Sequence, residues 1–481
     1  MSVFSFLRIE FSILGIVALT MIFPIFAAIA FCESGVVPAF AIPMAIFLIL
    51  AVTFLLAGRK KKIALSTRSA FVVVAFAWIF CSLLGAIPFY FSGAIPNWTD
   101  AIWESVSGFS TTGATILSEV ESIPNSINLW RTQTHWLGGM GIVALTVALF
   151  PLLGVGGFQL IKAETTGPEK GKVTPKITTT AKVLWLIYCG VTILGIISLK
   201  IAGMNFFDAV LHSFSTVGTG GFSNKNMSIG AYDSVAIDVV CTIFMFLCAI
   251  NFSLYFYLLT RKFDDIRNNT ELKAYLAICA VFILAITFIN TNFYGGFFTS
   301  LRHSSFQIAS IISTTGFGTS NYTMWPSAAQ VFLFLLFFIG GCSGSTSGGI
   351  KVIRWVVMGK QTHNEFSKML HPHGVFSIRL NGRAGRKDLV FNVASFLTLY
   401  ILLVVLTAIF GAAAGLDIQT ALSGAATMVG NVGPAFGALN PSANCGFLPT
   451  ALKWWYMFAM LAGRLELYTM IIFFVPDFWK K

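Results

Sequence analysis

The feature that most constrains this chain is a succession of long stretches free of Lys and Arg, most of them as long as a membrane-crossing helix. Such a helix needs about 20 apolar residues. Runs from Phe11 to Cys32, Ser34 to Gly58, Ser69 to Thr99, Thr132 to Ile161, Val183 to Leu199, Val239 to Thr260, Ala274 to Leu301, His303 to Ile350 and Leu389 to Leu416 fit or approach that length, and Trp454 to Pro476 is interrupted only by Arg464 and Glu466. Several are too long for one helix, which predicts a span joined to a shorter element that enters the membrane and returns. Only 10% of the 481 residues are charged, against about 25% in soluble domains, so a water-soluble enzyme is excluded. The reading is an all-α integral membrane protein with about ten spans.

The basic residues orient it. Arg8, the cluster Arg59 to Lys62 with Arg68, the lysines from Lys162 to Lys182, the bases from Arg261 to Lys273, those from Lys351 to Lys387, and Lys480 with Lys481 fall on alternate connections. That side is then cytoplasmic and carries both termini. The net charge of +12 follows from this bias and does not call for nucleic acid. Glu33, Asp100, Glu119, Glu121 and Asp233 lie on the other side, where they either concentrate cations or are merely solvated. Cys81, Cys189, Cys241, Cys248 and Cys279 sit inside apolar runs and suggest no disulfide framework.

Four Gly/Thr-rich segments recur: Val106 to Thr115, Phe214 to Ser223, Ala309 to Gly318 and Ala426 to Ala435. With Gly113, Gly221, Gly316 and Gly433 at position zero the register is ungapped. Six residues earlier stand Ser107, Ser215, Ser310 and Thr427; two earlier Thr111, Thr219, Thr314 and Asn431; one earlier Thr112, Gly220, Thr315 and Val432. Upstream, Asp100, Asp208, Ser300 and Asp417 are the expected N-caps of short helices. Each unit then reads as span, re-entrant helix, extended segment, span. The boundaries are 67–162, 163–260, 261–360 and 389–481, after two N-terminal spans in 1–66 and with a basic cytoplasmic loop at 361–388. Non-helical backbone at membrane depth is tolerated only if buried in protein or lining a wet cavity. Helix C-termini aimed at such segments favour a cation, and rings of backbone carbonyls can replace the water shell of K+. The segments lack the Asp and Glu that a divalent ion would want. The candidate filter is therefore Thr111–Gly113, Thr219–Gly221, Thr314–Gly316 and Asn431–Gly433, with K+ as the ion held and no other metal or cofactor.

With these segments, His135 to Ile142 (HWLGGMGI), Gly340 to Arg354 (GGCSGSTSGGIKVIR), Asn431 to Gly437 (NVGPAFG) and Gly463 to Thr469 (GRLELYT), the chain resembles the Trk/Ktr/HKT superfamily of potassium transporters. Within it, the two extra N-terminal spans favour the TrkH type. The resemblance covers nearly the whole chain and implies four span–pore helix–span units around a central pore, K+ uptake, and residence in a prokaryotic inner membrane. It also implies a homodimer and a TrkA-like, ring-forming, nucleotide-binding partner on the cytoplasmic side. Val432, Pro434, Ala435 and Gly220 depart from the family's filter pattern.

Below the filter, Gly340, Gly341, Cys342, Ser343, Gly344, Ser345, Thr346, Ser347, Gly348 and Gly349 interrupt an apolar run with residues that make helix continuation costly. They predict a loop across the cytoplasmic side of the pore, which the resemblance makes a gate. Arg464 is the one base well inside an expected span; it either pairs with Glu466 or stands beside the pore. The bases from Lys351 to Lys387 satisfy the orientation rule or dock a partner, and His371 and His373 lack further ligands for a metal site. The runner-up function is a Na+- or H+-coupled K+ transporter, although the repeats are parallel where many carriers have inverted ones.

Overall fold

The computed structural model describes residues 1–59, 66–141, 177–384 and 388–480. Two spans come first. α1 (Val3–Thr20) continues past Met21 into α2 (Ile22–Ala30), and α3 (Val37–Ala57) packs back along α1. Gly15 permits that approach, since a Cβ there would lie 2.5 Å from the Cβ of Ala51. The buried Arg8 donates Nη1 to the carbonyl of Gly58 at 2.8 Å, satisfying a backbone group at the end of α3.

Four units follow, each an outer helix, a pore helix, an extended segment and an inner helix. They are α4 (Thr67–Phe91), α5 (Trp98–Phe109) and α6 (Asn125–Gly139); α7 (Ile177–Ile201), α8 (Phe206–Gly218) and α9 (Val235–Cys248), the last continued by α10 (Phe252–Leu259) and, beyond a turn, α11 (Phe263–Arg267); α12 (Thr270–Tyr294), α13 (Phe297–Ile312) and α14 (Ser327–Leu336); and, after a cytoplasmic insertion, α16 (Asp388–Ala413), α17 (Ile418–Gly430) and α18 (Thr450–Arg464). That insertion holds α15 (Val352–Leu370) and a two-stranded antiparallel ribbon, β1 (Arg379–Leu380) with β2 (Arg383–Ala384). Ile49, Leu186, Val281, Phe288 and Phe410 point outward and are exposed, which suits a surface solvated by lipid. The fold is that of an all-α integral membrane protein.

Among the described residues six helices are long and apolar enough to cross a membrane. The inner helices are not. α6, α9, α14 and α18 have 15, 14, 10 and 15 residues, so each falls short of the ~30 Å hydrocarbon core at about 1.5 Å per residue. The sequence points to one break, at Gly340 to Gly349, yet every inner helix stops. α6 ends at Gly138–Gly139, and the rest of the expected Thr132 to Ile161 span, from 142 on, lies outside the described residues. α9 turns by 92° into α10, whose first turn is capped by Asn251 accepting from the Ser253 N–H at 2.8 Å. α18 gives way at Glu466 and Leu467, both at φ 57°. Breaks made by one or two polar or left-handed residues leave no composition signal, whereas the Gly/Ser run does.

Lys351 and Arg354, expected to satisfy the orientation rule or to dock a partner, are buried. Lys60 to Lys62, Lys162 to Lys176, Arg386 and Lys387 lie outside the described residues. Of the outer carboxylates, Glu119, Glu121 and Asp233 are exposed, whereas Glu33 and Asp100 hold other parts of the protein. Glu33 accepts from the N–H groups of Asn125 and Ser126 at 2.6 and 3.0 Å, serving the start of α6, and Asp100 pairs with Lys453 at 2.6 Å.

Candidate functional site

Three pore helices begin alike, with one residue accepting from the first turn: Asn97 for α5 (from Thr99 N–H, 2.8 Å), Asn205 for α8 (from Asp208 N–H, 2.8 Å) and Asp417 for α17 (from Thr420 N–H, 3.1 Å). This corrects the expected caps in two units, because Asp100 and Asp208 sit in the first turn instead. Asn97, Asn205 and Asp417 stand at the same distance before their glycines, so the true caps obey the repeat register better than the expected ones. In unit 3 the cap is Gly296, and Ser300 lies inside α13 with its hydroxyl on the carbonyl of Thr287 at 2.7 Å.

All four pore helices end the same way. The N–H groups of Thr112, Gly220, Thr315 and Val432 reach back to the carbonyls of Ser107, Ser215, Ser310 and Thr427 at 2.8–2.9 Å, while Thr111, Thr219, Thr314 and Asn431 adopt φ of 55–57°. This is a Schellman ending with a non-glycine residue at the left-handed position, a conformation that costs about 1–3 kcal/mol and persists only where its surroundings enforce it. Gly113, Gly221, Gly316 and Gly433 then take φ of 76–86°, which explains why glycine alone recurs at position zero.

These four glycines close a ring. A Cβ on Gly113 would lie 1.9 Å from the carbonyl oxygen of Gly220, on Gly221 2.0 Å from that of Thr315, on Gly316 2.3 Å from that of Val432, and on Gly433 2.4 Å from that of Thr112. Each unit thus abuts the next, and the fourth returns to the first. Among the described residues, no hydrogen bond reaches the carbonyls of Thr111 to Gly113, Thr219 to Gly221, Thr314 to Gly316 or Asn431 to Gly433. The carbonyls just beyond are held: Trp103 Nε1 donates to Ala114 O at 2.9 Å, and the hydroxyls of Ser215 and Ser310 donate to Phe222 O and Phe317 O at 2.6 and 2.7 Å. The ring can offer a cation neutral oxygens on a backbone fixed from behind.

His135, the first residue of the segment His135 to Ile142, stands beside the ring. Its Nε2 accepts from the Phe222 N–H at 3.2 Å, so the proton resides on Nδ1 and is donated to Gly108 O at 2.8 Å. The imidazole occupies the space a side chain on residue 220 would need, since a Cβ there would meet His135 Cγ at 2.1 Å. Gly220 departs from the Thr of units 1 and 3 because another residue fills its place. In unit 4, Asn431 Nδ2 donates to Thr112 Oγ1 at 3.0 Å and to Met460 O at 2.9 Å, tying that segment to unit 1.

Beneath the ring, residues Gly340 to Gly349 form a folded loop closed by Gly340 N–H on Ile350 O at 2.9 Å and Val352 N–H on Gly341 O at 3.1 Å. It fills the break between α9 and α10: Cys342 N–H donates to Ala249 O at 2.8 Å, Phe252 N–H to Gly344 O at 3.0 Å, and Thr346 Oγ1 to Cys248 O at 3.2 Å. Ser345 and Ser347 share a hydroxyl contact of 2.7 Å. Gly348 N–H donates to Thr314 Oγ1 at 2.6 Å. Glu271 accepts from Ser343 N–H at 2.7 Å and Ile353 N–H at 3.1 Å, holding both sides of the loop, and Lys351 Nζ bonds Ser347. The sequence places Lys351 only among the cytoplasmic bases and gives no sign of Glu271.

Arg464 does not pair with Glu466, which binds Arg354 instead. Its Nη1 donates to Thr346 O at 2.8 Å and its Nη2 to the α6-terminal carbonyls of Gly138 and Gly139 at 2.5 and 2.8 Å. It thereby links the loop to the broken end of another inner helix, where a cation is favoured. Among the described residues no group of three potential ligands could hold a metal through His, Cys, Asp or Glu.

This architecture has relatives. The chain matches the family model described as "TrkH: Cation transport protein" over residues 36–481. It is 39% identical to the Trk system potassium uptake protein TrkH of Halomonas elongata across 100% of both chains, and 37% identical to the protein of that name in Escherichia coli (strain K12) across 96% of each. The crystal structure of the potassium transporter TrkH from Vibrio parahaemolyticus superposes with a TM-score of 0.88 at 33% identity, covering 100% of both chains. The chain belongs to the TrkH family of cation transport proteins.

Proposed function

We propose that this protein takes up K+ across the cytoplasmic membrane. The ion exchanges water for the carbonyl oxygens of Thr111–Gly113, Thr219–Gly221, Thr314–Gly316 and Asn431–Gly433. One observation carries the reading: these carbonyls face no hydrogen-bond donor among the described residues while their neighbours are bonded, and a buried carbonyl without a partner is costly unless something else satisfies it. The relatives named as potassium uptake proteins support K+ as the cargo.

The loop Gly340 to Gly349 and Arg464 form the constriction on the cytoplasmic side, seated against Thr314. Both termini are cytoplasmic, the protein is a homodimer, and a TrkA-like, ring-forming, nucleotide-binding subunit docks on the basic face around α15 and the ribbon. The relatives' description as parts of a Trk system supports a regulatory subunit. Purified protein in lipid vesicles tests this with radioactive Rb+ as the tracer. Uptake should be saturable, competed by K+ and not by Na+, independent of imposed Na+ and pH gradients, and faster in Arg464→Ala because a positive barrier is removed. Uptake that requires a Na+ or proton gradient would replace the channel-like reading with coupled transport.

A further inference from the structure

Two residues one helical turn apart on α6, Arg131 and His135, face the junction between filter segments 1 and 2. Arg131 and Glu104 are 1% and 0% exposed. Arg131 donates Nε to Glu104 Oε1 at 2.8 Å, Nη1 to Asn128 Oδ1 at 2.9 Å and to Ser223 O at 3.1 Å, and Nη2 to Thr115 Oγ1 at 3.3 Å. Its guanidinium lies 4.4 Å from the centre of the Phe222 ring, whose other neighbour is the His135 ring at 4.2 Å. Glu104 in turn accepts from the Thr115 hydroxyl at 2.9 Å and the Ile116 N–H at 3.1 Å. One buried ion pair therefore grips both segments two residues beyond their glycines.

Burying such a pair is poor value for stability, since apolar replacements of similar volume are often as stable or more so. Nor does it line the ion path, being fully covered. What it does uniquely is set the spacing between two backbones. Units 3 and 4 have Gln307 and Gly424 where Glu104 and His212 stand, and Gly318 and Ala435 where Thr115 and Ser223 stand, so they lack the hydroxyls such a clamp would use.

We propose that Glu104, Arg131 and His135 are positioning residues that fix the separation of filter segments 1 and 2 and thereby the size preference for K+ over Na+. This rests on the filter reading above, so Gly113→Ser is measured beside the clamp variants. Arg131→Lys keeps the charge but loses the planar fork that reaches several acceptors; Thr115→Val keeps the ion pair and removes only the hydroxyl between its partners. The readouts are the K+/Na+ uptake ratio in vesicles and the concentration of K+ giving half-maximal uptake.

Arg131→Lys should lower the ratio by about tenfold, as expected for losing one hydrogen bond to a charged group, and Thr115→Val should lower it less. The concentration for half-maximal uptake should rise in both. Wild-type ratios in both clamp variants alongside a lowered ratio in Gly113→Ser would reduce the clamp to packing and overturn the proposal. Reduced yield with an unchanged ratio would overturn it equally. An unchanged ratio in Gly113→Ser as well would remove the filter reading itself. If Arg131→Lys fails to fold, Thr115→Val alone decides.

Discussion

The two halves of the glycine ring share one backbone but not one means of support. Behind units 1 and 2 lie an ion pair, two imidazoles and their partners: Arg131 with Glu104, His135 on Phe222 N–H, and His212 Nε2 receiving the Ser223 hydroxyl at 2.9 Å. Around the unit 4 segment, opposite unit 2, the bonds are neutral: the Tyr322 hydroxyl on Ala435 O at 2.9 Å, Ala435 N–H on Leu439 O at 2.7 Å, and Phe436 N–H on Ser423 Oγ at 3.1 Å. The loop beneath the ring reaches units 3 and 4, at Thr314 and against Gly430 and Asn431. Hydrogen bonds to charged groups are worth about twice neutral ones, so the ring has a firm side and a yielding side, and the loop rests on the yielding one.

The largest expected effect exploits the position one residue before the ring glycines, where units 2 and 4 carry Gly220 and Val432. Gly220→Thr restores the residue that units 1 and 3 carry, yet its Cβ would penetrate the His135 ring at 2.1 Å. Uptake should be abolished, and His135→Ala in the same chain should restore a measurable part of it. Val432→Thr on the opposite side makes the same kind of change without that neighbour and should retain uptake. Equal loss in Gly220→Thr and Val432→Thr in the vesicle assay would break the contrast.

How much of this the sequence made legible follows the same divide between backbone and side chain. The ring register was readable because position zero demands φ near 80°, which restricts residue choice at four sites at once. The loop from Gly340 to Gly349 is readable because ten consecutive small residues interrupt an apolar run. Arg131 is not legible because it borders its apolar run and its partner Glu104 comes from a different helix; sequence spacing carries no trace of such a pairing. Asp100 drew the cap assignment away from Asn97 because both are good caps, and only the first-turn geometry separates them. Breaks in α9 and α18 are invisible because one or two residues make them.

The next effect in size concerns stability. Arg131→Met leaves Glu104 buried without its counter-charge, which should cost about 3–5 kcal/mol, read as a lowered thermal unfolding midpoint in detergent. Glu104→Gln on the same background should recover part of that loss, because the stranded charge is then gone. Failure of the double variant to recover would mean that Arg131 acts by filling space over Phe222 and not through the pair.

The smallest expected effect is on the yielding side. Tyr322 is 1% exposed and its hydroxyl is the only donor to Ala435 O among the described residues. Tyr322→Phe keeps the ring stacked edge-on against Phe436, at 5.1 Å between centres, and removes one neutral hydrogen bond, so it should cost about 1 kcal/mol. The same unfolding measurement checks this, and the K+/Na+ ratio should move less than in Arg131→Lys because a neighbouring bond, Ala435 N–H on Leu439 O, still holds the segment. A cost as large as that of Arg131→Met would mean the two halves are held equally, and the loop would then rest on a ring with no preferred side to deform.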